Sequence, residues 1–209
     1  MNKKALVLAA LITIPFKSYA QSAELYVKGT ISNPGTCKIS SSNNGTYEFG
    51  KVDISLIQET ERAPISSAQS ATWTVACDTT TYVRLSTSDM EKSSAPDPAT
   101  QFFGLGTING DGKIGQYTVL AKNPVVDGND ALFSSNSPTI EGKPENLLHH
   151  GTYSTWAQKN DGKSAASGRD FKVDLEVSAW LASKAEMKGL PTDGTPLNGH
   201  LTLTFTQGL

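Results

Sequence analysis

The chain is poor in the residues that carry most metal and redox chemistry. Among its 209 residues are two cysteines, three histidines and three methionines. A metal site built on Cys37 and Cys77 needs two more ligands, and none stands near either cysteine in the sequence. His149 and His150 are adjacent, so on a strand they face opposite ways and cannot hold one ion together, and His200 stands apart. No cofactor is expected. An excess of positive charge is also missing. Lys and Arg number 18 against 20 Asp and Glu, and Lys3, Lys4 and Lys17 fall in a first twenty residues that hold no acid. The remainder carries 15 against 20, a net of −5. Phosphate backbones need a basic surface, so nucleic acid is excluded as a partner. Long apolar runs are absent too. The longest, Ala5 to Ile14, falls well short of the roughly twenty residues that span a bilayer.

What that run does match is a secretory signal. Lys3 and Lys4 precede it, and Ser18-Tyr19-Ala20 follows with small residues at the two positions a signal peptidase reads. Residues 1–20 are therefore expected to be removed, leaving an exported mature chain, 21–209, with no membrane span. An oxidising compartment turns a cysteine pair into a disulfide. Strand periodicity agrees, since Trp73, Val75 and Cys77 alternate with Thr72, Thr74 and Ala76, and Cys37 shares a face with Ile39. Inward cysteines on neighbouring strands can reach the Cα separation of roughly 5.5 Å that the bond requires.

The rest of the pattern has period two. "YVRLS" (82–86), "GQYTVLA" (115–121), "FKVDLEVSAW" (171–180) and "HLTLTF" (200–205) alternate, as does "ELYVKGTI" (24–31). Turn clusters separate them at 40–45, 93–98, 109–112, 160–168 and 189–199. Short alternating strands with such connections imply an all-β sandwich or barrel of one domain. "ASKAEMKG" (182–189) predicts two helical turns, the one helix the pattern offers.

Motifs for chemistry fail on inspection. Asn109, Asp111 and Gly112 match the middle of a calcium loop, but its first ligand position falls on Thr107 and its bidentate glutamate position on Thr118. A hairpin turn between "FFGLG" and "IGQYTV" explains the same residues. "GLGTING" misplaces the third glycine of a dinucleotide loop, and no Gly-Lys-Ser/Thr follows. No G-x-S-x-G elbow is present. The indoles of Trp73, Trp156 and Trp180 are candidates for sugar stacking, although Trp73 and Trp180 are expected to plug the core or its rim. The chain is read as non-enzymatic.

The opening segments "VKGTISNPGTCKI", "FGKVDIS" and "WTVACDTTTYVRLS" resemble the pilins of chaperone–usher fimbriae. They show a glycine-led first strand, a cysteine after it, a short Gly-x-Val strand and an inward aromatic before the partner cysteine. "FFGLGTINGDGKIGQYTVLAKNPVVDG" (102–128) is similar to a family of exported proteobacterial proteins regarded as major subunits of beta-fimbriae. The resemblance implies an immunoglobulin-like, pilin-type sandwich, one disulfide, and a missing final strand. It implies a non-enzymatic structural subunit assembled at the cell surface by β-strand addition. A periplasmic chaperone, an outer-membrane usher and other fimbrial subunits would be its partners, and its route would run through the periplasm to the fimbrium. Leu25 and Val27 would be donor residues, and Leu201, Leu203 and Phe205 the acceptor edge. Gly208 stands where such subunits carry a tyrosine, and only Gln21 to Lys28 precede the first glycine. Both features fit the alternative, a self-complete periplasmic or surface module that binds a carbohydrate or small ligand.

A turn without ligands at 109–112 makes a simple prediction. Added calcium leaves the melting temperature unchanged, whereas a ligand at a hundred times its dissociation constant would add about 2.7 kcal/mol. A calcium-dependent rise that Asp111→Ala removes is the contrary result.

Overall fold

The structure, a computed structural model, describes residues 35–135 and 139–208. The expected signal segment, 1–20, and the expected donor residues Leu25 and Val27 lie outside them. In chain order the strands are β1 (Cys37–Ser41), β2 (Ala63–Pro64), β3 (Gln69–Thr81), β4 (Val83–Asp89) and β5 (Phe103–Gly104). A hairpin of β6 (Thr107–Ile108) and β7 (Gly112–Lys113) leads into β8 (Gly115–Val126). Then come β9 (Asn129–Asp130), β10 (Leu132–Ser135), β11 (Asn146–Leu147), β12 (Tyr153–Ala157), β13 (Gly168–Leu181) and β14 (Leu201–Gln207). One sheet runs β1-β3-β13-β8-β11, with β2 on β13 and with β5 and β9 on β8. The other runs β10-β12-β4-β14. The protein is an all-β sandwich.

Alternation explains which faces meet. In β13, Phe171, Val173, Leu175, Val177, Ala179 and Leu181 are buried. A one-residue slip would turn all of them to solvent, so the register is strongly determined. Val83 and Leu85 of β4 and Trp156 of β12 meet them from the other sheet. Trp156 is the hinge of this contact. Its ring lies 5.4 Å from that of Phe171 and 5.2 Å from that of Phe133, both edge-on. Its indole N–H donates to the Lys172 carbonyl at 2.9 Å, so the polar handle of a fully buried ring is satisfied. Trp156, not Trp180, is thus the core tryptophan. The same alternation that turns Ala179 and Leu181 inward turns Trp180 to the outer face.

The cysteines are bonded. Cys37 and Cys77 are direct partners in the β1–β3 ladder, with Cα atoms 4.0 Å apart. The Asp78 N–H donates to the Thr36 carbonyl, so positions 36 and 78 form the hydrogen-bonded pair. Positions 37 and 77 then form the closer, non-hydrogen-bonded kind, which is why the separation is below the expected one. Closing a loop of this length stabilises the fold by about 4 kcal/mol in the chain-entropy model.

Two local expectations differ. "FGKVDIS" is not a strand: no ladder partner lies beside 46–53 among the described residues, and a 3-10 turn, Ile54–Leu56, ends the segment. The helix is a single turn, α1 (Lys184–Met187), because Lys188 adopts a left-handed conformation that ends it. Ser183 caps it, and Glu186 returns the bond to the Ser183 N–H. Arg62 grips the same carboxylate through Nε and Nη2, at 3.1 and 2.6 Å from Oε1.

These Arg62 hydrogen bonds hold the Glu186 carboxyl below its ordinary value, against the opposing pull of burial. The stability they add is present above the unfolded carboxylate's pKa of about 4.3 and is lost as pH falls through the lower folded value. Denaturation midpoints measured from about pH 6 down to about pH 3 should therefore fall less steeply in Glu186→Gln than in the wild type. Parallel curves would show that the pair adds nothing.

Candidate functional site

Among the described residues, strand β14 lies at the edge of its sheet. Its side chains alternate, with Leu201, Leu203 and Phe205 turned to the core and Thr202, Thr204 and Thr206 exposed. On the neighbouring β4, the ladder partners of those three apolar residues are Asp89, Thr87 and Leu85, all buried. The β14 side chains are only partly buried. Among the described residues, the sandwich is sealed at β4 and only partly covered at β14.

The opening is a groove of about 1080 Å³. Leu175 and Val177 of β13 and Tyr117 and Val119 of β8 form its floor, and β14 forms one wall. Segment 46–53 forms the other wall through Tyr47, Phe49 and Val52. Tyr47 fixes this wall. Its hydroxyl donates to the Leu175 carbonyl at 3.2 Å and accepts the Trp73 indole N–H at 3.0 Å. Burial pushes the Tyr47 pKa up, so the hydroxyl keeps its proton. Trp73 in turn stacks on Phe205, with centroids 6.2 Å apart. Tyr47, Trp73 and Phe205 thus tie one wall to the floor and the floor to the other wall.

Both walls expose backbone. Met90 N–H donates to the His200 carbonyl and Gly208 N–H to the Tyr82 carbonyl, which places the β4-facing bonds on the even-numbered residues of β14. The N–H and C=O groups of Leu201, Leu203 and Phe205 therefore point away from β4, and they meet no partner among the described residues. The same holds for the backbone of Tyr47 to Val52. Seven residues of β14 at about 3.4 Å each give the groove a length of about 24 Å. Residues 191–197 line one end, and the Asn198 N–H anchors this loop on the Leu105 carbonyl. Gly199 is required there, because a Cβ would sit 2.8 Å from the Tyr117 ring.

The structure brings Leu201, Leu203 and Phe205 together on this groove and places the disulfide in the first sheet. The residues that the sequence reading missed are Tyr47, Phe49 and the loop at 191–197. Tyr47 and Phe49 carry a strand-like spacing, and that was the available signal.

The other candidates resolve into local structure. The turn at 109–112 closes the β6–β7 hairpin, with Asp111 paired to Lys188 and the Asn109 amide donating to the Met187 carbonyl. His150 Nδ1 accepts the Asp89 N–H at 2.9 Å. His149 Nδ1 lies 2.9 Å from Thr100 Oγ1, and desolvation holds its pKa low. This hydroxyl–imidazole pair has no carboxylate bonded to it among the described residues, so it lacks the group that orients a catalytic base. Compared with protein-family models and with curated proteins, the sequence matches none.

Tyr47→Phe should leave the Trp73 N–H unpaired and free segment 46–53 from the floor. A stability loss of about 1 kcal/mol, read from the urea midpoint, is the expected result. An unchanged midpoint would show that the wall does not depend on this hydroxyl.

Proposed function

We propose that this chain is an exported, non-enzymatic structural subunit whose groove accepts an extended strand from another protein, in the manner of chaperone–usher fimbrial subunits. One observation carries the reading: β14 pairs on one side only among the described residues, while its inward Leu201, Leu203 and Phe205 stay partly open. An added strand would bond to the free edge and press alternate side chains onto the floor. The immunoglobulin-like, pilin-type relation implied by the sequence accounts for an incomplete sandwich of this form. On this reading a periplasmic chaperone fills the groove first. At the usher, the segment containing Leu25 and Val27 of another subunit replaces it, and the subunit joins a surface fimbrium that serves adhesion.

The groove volume also lies near the range of small-molecule sites, about 300–1,000 Å³. That favours, as the second reading, a self-complete periplasmic or surface module for a carbohydrate or small ligand. A strand fits better because both long walls offer backbone groups in rows, which a small molecule leaves unpaired.

A synthetic peptide copying Gln21 to Ile31 tests the choice. At a hundred times its dissociation constant it should stabilise the mature chain by about 2.7 kcal/mol. Leu203→Lys should abolish this effect, and deletion of Gln21 to Val27 should stop assembly while leaving peptide and chaperone binding intact. A stable monomer indifferent to the peptide and to that deletion would sink the subunit reading.

A further inference from the structure

Where the described chain begins bears on what the groove takes. Strand β1 lies at the edge of the first sheet among the described residues, and its inner row reaches the groove. Ile39 lines the groove and is 48% exposed, although its ladder partner Val75 is buried. Gln207 Nε2 donates to Cys37 Sγ at 2.7 Å, so the last residue of β14 meets the first residue of β1 at one end of the groove. Residues 191–197 lie at the other end, beside the start of β14. The chain ahead of β1 therefore arrives at the Gln207 end. There Asn33-Pro34-Gly35-Thr36 has the sequence of a type II turn, with proline second and, third, a glycine whose φ is +82°. Such a turn reverses the chain and directs the residues before it back along β1. Those residues include Leu25, Val27, Gly29 and Ile31 in strand-like alternation.

We infer that, in the isolated chain, residues 24–31 fill the groove of their own molecule as a strand beside β14, and hold the acceptor edge closed until another protein's strand displaces them. The inference rests on the strand-acceptor reading and adds its regulation. Reach allows it. Gln21 to Ser32 extend about 40 Å at about 3.3 Å per residue, against a groove of about 24 Å. Direction follows from the turn: β14 runs toward Cys37, and residues 24–31 would run the same way, which makes the pairing parallel. The alternation fits as well. With Leu25, Val27 and Ile31 turned to the floor, Glu24, Tyr26, Lys28 and Thr30 would turn outward, as Thr202 and Thr204 do in β14. A segment joined through so short a turn meets its own groove at an effective concentration of about millimolar. A free strand in dilute solution cannot match that, so chain growth waits for a partner that removes the segment. Exchanging one copy's segment for another's is then the low-cost route of domain swapping. Until that exchange, the segment also covers an edge that would otherwise template aggregation.

The test measures amide hydrogen exchange and peptide affinity in the mature chain and in Val27→Asp, which puts a charge into the inward row of the segment. Slow exchange is expected at the Leu201, Leu203 and Phe205 amides of the mature chain, unchanged on dilution, with fast exchange in Val27→Asp. A labelled peptide copying Gln21 to Ile31 should bind Val27→Asp at least about tenfold more tightly than the mature chain, because the tethered competitor is weakened. A chain lacking Gln21 to Ile31 should behave as Val27→Asp does, and folding that requires added peptide counts as the same result. Equal peptide affinity for all these chains, or protection of the mature chain that dilution removes, would overturn the intramolecular strand and leave the strand-acceptor reading standing. Peptide binding to none of them would overturn both.

Discussion

The register of β13 is the constraint on which both layers rest. It pairs with β3 on one side and β8 on the other, and its alternating apolar residues supply the floor on which the second sheet lies. Bulges near its start, between Gly168 and Asp170 and between Lys172 and Asp174, allow a long strand to twist without losing that alternation. Trp156 then locks the layers at one place, because its ring needs Phe171 and Phe133 while its N–H needs the Lys172 carbonyl. Shifting β13 by one residue would turn the apolar set outward and move that carbonyl away from the indole. Packing and polar satisfaction thus select the same register.

A floor this wide needs cover along its whole width, and among the described residues the second sheet supplies it only as far as β14. Beyond that edge, segment 46–53 lines the groove through its side chains and forms no ladder among the described residues. The contrast between the sealed residues of β4 and the half-open residues of β14 follows directly. Hydrophobic stabilisation scales with the area removed from water, so side chains left in that state retain a driving force for burial. Edge groups without a partner among the described residues add direction, since they accept an extended backbone and not a shapeless apolar mass. Both properties are physical premises of the proposed strand addition.

Much of this was legible in the sequence. Period two in 171–180 and 200–205 placed β13 and β14, and the expectation of export paired Cys37 with Cys77. Strand β4 was harder to delimit, because Thr87 and Asp89 are polar yet face inward. Asp89 is satisfied there by the N–H groups of Glu91 and Gly104, contacts from the chain beyond the strand that no local pattern announces. Trp156 was misjudged for a related reason. Its segment "YSTWA" is polar around the indole, and burial comes from Phe171 and Phe133 on two other strands. The second wall of the groove had the opposite fault. "TYEFGKV" carries strand-like alternation, but a strand also requires a partner, and none lies beside it among the described residues.

Strand β14 has two unlike faces, and the pleat keeps them apart. Leu201, Leu203 and Phe205 face the groove because they alternate with Thr202, Thr204 and Thr206, so an apolar inner row requires a separate outer row. A strand added beside β14 would extend the sheet in its own plane. Its hydrogen bonds would go to the backbone of the odd-numbered residues, whereas the threonine hydroxyls stand perpendicular to that plane and stay available. Filling the groove would then extend the outer face by one strand and leave the residues already on it, on β4 and β14, uncovered. A chain completed by strand addition would keep its outer face in the geometry that the described residues hold before completion.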